Sequence, residues 1–205
     1  EESLPLKWTF NLAGGYDDNV NASNYDQQEA AFISTDIGAS LANYDSVTQY
    51  SFSAKLGGIF YLKDLEGETN ESLSNSTLSA NLSHSFDQTL RYNGSVSFAW
   101  QPEPNYSNGI ANARRDGDYI YVYVSSSVSK AWTSRYSTTL GANFSMINYQ
   151  EDSAKTDNRD YVGMDFTNRY KWTERLAISL SWSGSYCDRE YGNNEFSNFV
   201  MAGAE

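Results

Sequence analysis

Two residue types that build most catalytic and metal centres are almost missing: the chain has one cysteine and one histidine in 205 residues. Cys187 therefore has no partner for an intrachain disulfide and reads as filler at a strand end. With His84 alone, a Ser-His-Asp hydrolase or a multi-histidine metal site has little to build on. Bases are scarce as well, 14 Lys and Arg against 26 Asp and Glu, for a net charge of −12. That balance argues against nucleic acid, whose phosphates are met by Lys and Arg, and no phosphate loop is present. No apolar run approaches the ~20 residues of a membrane helix, so any crossing of a bilayer falls to strands. The opening EESLPL is no secretory signal, so export is expected to depend on a segment ahead of it.

What the chain has in quantity is alternation. From Val162 the even positions are Val162, Met164, Phe166, Asn168, Tyr170 and Trp172, and the odd ones between are Gly163, Asp165, Thr167, Arg169 and Lys171. After a tight turn at Thr173-Glu174 the even face is Leu176, Ile178, Leu180, Trp182, Gly184 and Tyr186, with Arg175, Ala177 and four serines opposite. A period of two on both sides of a turn predicts a long antiparallel hairpin. These strands are about twice the usual five or six residues, and length of that order with one apolar face suits a tilted strand crossing a bilayer.

The same pattern recurs along the chain. Leu6, Trp8, Phe10, Leu12 and Tyr16 mark a first strand; Ile33, Ile37, Ala39 and Leu41 a second; Tyr50, Phe52, Ala54, Leu56, Phe60 and Leu62 a third. Leu78, Leu82 and Phe86 mark a fourth and Tyr92, Val96, Phe98 and Trp100 a fifth. The sixth has Ile120, Val122, Val124 and Val128 on one face and Tyr119, Tyr121, Tyr123 and Ser125 on the other, so both faces favour strand and its orientation stays open. Leu140, Phe144 and Met146 carry the seventh, the hairpin above the eighth and ninth, and a tenth begins near Phe196.

Between these strands the connections alternate long and short, which puts all long ones at one end of an up-and-down meander. The five long connections carry eighteen acids and six bases, the whole net charge; the remainder has eight of each. Within the strands nearly every charge lies on the polar parity, with Lys130 the exception beside a turn, where it can snorkel. The fold expected is all-β: an up-and-down antiparallel transmembrane β-barrel of about ten strands, one domain over residues 1–205. Mean hydropathy of −0.60 fits a wall whose inner half faces water. The rival is a soluble barrel or sandwich with the apolar parity inward, because period two does not say which face is inside.

With these residues laid out, the chain resembles Gram-negative outer-membrane β-barrels, in particular the beta-barrel porin families. The likeness is carried by WTFNLAGGYDDNV, with its Gly-Gly-Tyr-Asp-Asp-Asn entry to the first long connection, and by hairpins of the KWTERLAISLSWSGSY type. It implies an outer-membrane location, a bilayer with lipopolysaccharide as surroundings, and passive diffusion of small solutes. It transfers no catalytic residue and no cofactor. The chain departs from it by ending MAGAE, where such barrels end in an aromatic residue, and part of a larger barrel or an absent closing segment is the expectation.

The pore-lining candidates are the charges on the polar parity: Asp36, Lys55, Arg91, Arg135, Asp165, Arg169, Lys171 and Arg175. Lys7, Arg91, Arg135, Arg169, Lys171 and Arg175 gather at the short-turn end, while the mouth formed by the long connections is acidic. His84, on the apolar parity near a turn, suits an interfacial role. Asp17, Asp18 and Asn19, and separately Asp64, Glu66 and Glu68, offer oxygens to Ca²⁺ but match no Asp-x-Asp-x-Asp-Gly loop and read as solvated acidic connections. No metal site, cofactor or enzymatic activity is expected. A channel is the first function, a surface-display barrel whose acidic connections bind a partner or divalent ions the alternative.

Overall fold

Each alternating run forms a strand: β1 (Leu6–Asp17), β2 (Ala30–Tyr44), β3 (Thr48–Tyr61), β4 (Ser76–Ser85), β5 (Leu90–Gln101), β6 (Tyr119–Ala131), β7 (Tyr136–Tyr149), β8 (Arg159–Thr173), β9 (Leu176–Arg189) and β10 (Glu195–Ala204). This computed structural model describes residues 6–18, 29–63, 76–101, 119–150 and 158–204. The strands make one antiparallel sheet in chain order, an up-and-down meander of ten without a helix among the described residues. Among those residues β1 and β10 do not pair with each other, so the sheet has two free edges.

Register sorts the side chains. One row crosses all ten strands, each member directly opposite the next: Leu6, Leu41, Phe52, Ala80, Val96, Val124, Phe144, Val162, Tyr186, Phe196. Every member is aliphatic or aromatic. One residue along, the row from β3 to β10 reads Ser51, Asn81, Ser95, Ser125, Asn143, Gly163, Ser185, Ser197. Because side chains alternate across a strand, these rows lie on opposite faces. The sixth strand is thereby oriented: Val124 and Val128 join the apolar row's face, and Tyr119, Tyr121 and Tyr123 join the serines.

The apolar face is the exposed one. Phe10 is 68% exposed, Leu56 54% and Leu180 53%, and among the described residues only Ala30, Tyr149 and Ala177 are buried hydrophobics. A soluble sandwich of this length packs its apolar face into a core; this sheet has none. The polar face is concave, as one cleft shows by touching residues from Tyr44 of β2 to Asp165 of β8. Seven strands laid flat span roughly 29 Å between the outer two at ~4.8 Å spacing, so the sheet curls around its polar side.

The short connections are built alike. Asp45, Asp87, Thr133 and Thr173 each open a turn, and each side-chain oxygen accepts a backbone N–H one to three residues on, as in Asx and Ser/Thr turns. An aromatic precedes each of them: Tyr44, Phe86, Trp132 and Trp172. The last turn falls at Glu174-Arg175, one residue later than the sequence pattern places it. A register shift between Lys171 and Thr173 accounts for the slip, since one extra residue lies in β8 there. The expected fifth long connection is also corrected. β9 continues to Arg189, leaving 190–194, and there Gly192 takes φ 126°, which side-chain-bearing residues rarely adopt.

Candidate functional site

The concave face is the only surface where polar groups of many strands converge among the described residues. Its serines, threonines and amides pair across neighbouring strands: Ser53–Ser79 at 2.8 Å, Asn81 Nδ2 to Ser51 Oγ at 3.2 Å, Ser83 Oγ to Asn93 Oδ1 at 2.8 Å and Ser95–Ser125 at 2.7 Å. Ser129–Thr139 at 3.0 Å and Thr167–Ser181 at 2.9 Å continue the pattern. Each pair is directly opposite in register, the geometry in which such hydrogen bonds support a sheet. Short polar side chains that bond to one another lie flat and leave the concavity open.

Three cavities follow one another along this face. At the short-turn end Arg91, Ser129, Thr139 and the 86–89 turn enclose about 660 Å³. The middle cleft, about 420 Å³, is lined by Asn81, Ser83, Asn93, Ser95, Tyr123, Ser125, Ser127, Asn143 and Asp165. At the far end Tyr121, Tyr161, Arg159, Ser145, Cys187 and Glu195 border about 570 Å³. Gly141 lies in the floor of the middle cleft, and Gly163 lies under the Asn143 amide that lines it. A Cβ on Gly141 would collide with the Asp165 carboxylate and one on Gly163 with the Asn143 amide, so both long polar side chains rest on bare backbone.

The eight charged candidates divide. Asp36 accepts a hydrogen bond from Asn11 Nδ2 at 2.8 Å, and Arg91 Nε donates to Ser83 Oγ at 2.9 Å. Asp165 borders the middle cleft, while Lys55, Arg169 and Lys171 stand on the concave parity of β3 and β8. Arg135 and Arg175 sit in exposed turns at the rim instead of on the wall, because parity counted through a turn assigns a face that the turn does not keep. Lys130 is on the convex side and reaches the rim as expected: its Nζ donates to Thr89 Oγ1 at 2.7 Å and lies 3.9 Å from Asp87. Asn19, Asp64, Glu66 and Glu68 lie outside the described residues.

Several contributors escape a parity argument. Asn158 is buried, accepts from the Tyr149 backbone N–H at 2.7 Å and donates to Glu190 at 2.6 Å, tying β7, β8 and the 190–194 connection together. Cys187 stands near the end of β9, as its third-last residue, and faces the concave side. His84 shares a 2.8 Å hydrogen bond with Thr48 and meets Phe86 edge to face at 4.6 Å. No protein-family model and no curated protein matches this chain. What the site does therefore rests on its own geometry.

Proposed function

We propose that the chain is the wall of an outer-membrane β-barrel, with its convex face in lipid and its concave face lining a diffusion channel for small solutes. The observation that carries this is the ten-strand apolar row backed, one residue away, by a polar row bordering open cavities. The band has a suitable height. In β9 the apolar parity runs from Leu176 to Tyr186, ten steps or about 33 Å, and strands tilted by about 40° project this to roughly 25 Å, the height of a lipid-facing band.

Both limits of that band are marked on the convex side. At the turn end stand Phe86, Trp132 and Trp172, each next to a turn, with the Lys130 ammonium reaching the same rim. At the other end stand Asp160 and Asp188, directly opposite each other. Aromatic residues beside a polar boundary are what an interfacial belt requires. In hydrocarbon the free edges of β1 and β10 need partners, because unpaired backbone N–H and C=O groups cost several kcal/mol each. Closure on each other or through further strands meets that need.

Planar-bilayer recording tests the channel. Stepwise conductance is expected, and with Arg91, Arg169 and Lys171 on the concave parity toward one end, it should be asymmetric and weaken in its selectivity as salt rises. Arg169→Ala with Lys171→Ala should lower any anion preference. The acidic charge in the long connections supports a second function, a barrel that anchors a partner-binding or ion-binding surface; absence of conductance at every salt concentration would favour it.

A further inference from the structure

On most strands the concave face carries short polar side chains and scattered charges, whereas β6 presents a run of aromatic ones. Tyr119, Tyr121 and Tyr123 alternate down that strand on the polar side, and Tyr161 of β8 lies across Ser145 from Tyr123. Tyr121 and Tyr161 border the far cavity and Tyr123 the middle cleft, so the aromatic residues lead from one into the other. From Tyr119 to Tyr123 is about 13 Å at ~3.3 Å per residue, the length of a short run of linked sugar rings.

We propose that this tyrosine row and the amide-and-serine cleft below it form a binding track for a neutral linear oligosaccharide. The proposal rests on the channel-wall function for its biological access but not for the binding itself. Tyrosine faces carry negative charge density and attract the C–H faces of a pyranose ring. The same ring's hydroxyls need partners that both donate and accept, and the adjoining cleft supplies them in Asn93, Asn143, Ser125 and Ser127. Among the described residues the Tyr121, Tyr123 and Tyr161 hydroxyls make no hydrogen bond, which leaves them for a ligand.

Charge selects against ionic solutes. Bordering the two cavities, Asp165 and Glu195 are the acids and Arg159 the base, and Glu195 is already held at 3.1 Å by Arg189. The net field along the track is therefore small. Asp165, laid over Gly141, presents a carboxylate with two oxygens that can accept from vicinal hydroxyls. A phosphate or carboxylate ligand would meet Asp165 at like charge, and an extended apolar ligand would strand the amides and serines of the cleft.

Calorimetric titration of the detergent-solubilised protein with maltohexaose tests the track. Saturable binding is expected, weakened about tenfold by Tyr121→Ala with Tyr161→Ala and changed less than about threefold by Tyr121→Phe with Tyr161→Phe, which keep the ring faces. If the alanine pair does not assemble, Asp165→Ala gives the second measurement and should weaken binding by about fivefold. No saturable heat with the wild type, or alanine variants that bind as tightly as the wild type, would overturn the proposal. Conductance without maltohexaose binding removes the track and leaves the channel; binding without conductance removes the channel and leaves the track.

Discussion

The convex and concave faces are made from alternate residues of the same strands, yet they satisfy themselves in opposite ways. Concave side chains bond to one another, as in the Ser95–Ser125 and Thr167–Ser181 pairs, and can stand in water without cost. The apolar side chains of the convex face have no core to enter: Trp8, Phe10 and Leu12 of β1 are each about two-thirds exposed. Covering such a side chain is worth about 1.5–3 kcal/mol each. If the convex face lies in lipid, as proposed, the stability of this sheet is tied to an apolar medium on one side only, and a change of medium should act on one face and spare the other.

The hardest test of that difference places one charge on each face of β9. On the proposed membrane placement Leu180→Arg should block assembly, because a cation near the middle of a lipid-facing band costs about 2–4 kcal/mol, whereas Ser181→Arg, on the concave face, should be tolerated. Heat-modifiable gel mobility of outer-membrane fractions reads the result. Equal behaviour of the two variants would remove the face assignment.

A gentler probe uses the cysteine already present. Cys187 on the concave face should react with a charged, membrane-impermeant maleimide at least about tenfold faster than a cysteine at Tyr186 in a Cys187→Ser background, since thiolate reactions need water access. Faster labelling at 186 would invert the faces. Topology can be read in the same preparation. Epitopes at Gly192, which lies at the same end as the long connections, should be reachable on intact cells and epitopes at Gln88 should not, if that end lies outside. Asn158 would be a poor insertion point, because it is buried and bonded on both sides.

Much of this fold is legible in the order of the residues alone. Period two located all ten strands, and cross-strand register then confirmed that the separate parities join into continuous rows. What parity could not supply was the third dimension. It left β6 undecided, because Val and Tyr are equally good strand formers, and only pairing with β5 and β7 turned the tyrosines inward. It misplaced Arg135 and Arg175, because turns and the bulge at Lys171–Thr173 break the count. The bare backbone under Asp165 and Asn143, at Gly141 and Gly163, was invisible as well. Nothing in a single strand tells that the side chain of the next strand lies across its glycine.

The smallest expected effect concerns a turn, where neither face is at stake. Asp87 Oδ1 accepts from Thr89 Oγ1 and the Thr89 backbone N–H, both at 2.6 Å, and from the Leu90 N–H at 2.9 Å. These bonds hold its carboxyl below the ordinary carboxylate range, the Thr89 hydroxyl contributing most and Lys130 least. A group whose folded pKa is depressed contributes stability above its unfolded value, about 3.9 for Asp, and loses it as pH falls through the folded value. Asp87→Asn should therefore be slightly less stable than the wild type at pH 7, and the gap should narrow as pH falls below about 4. Denaturant midpoints in detergent at pH 7 and pH 3 check this. The turn is exposed, so the shift should be small beside that of Leu180→Arg, and a gap that widened in acid would show that Asp87 acts through packing and not through its charge.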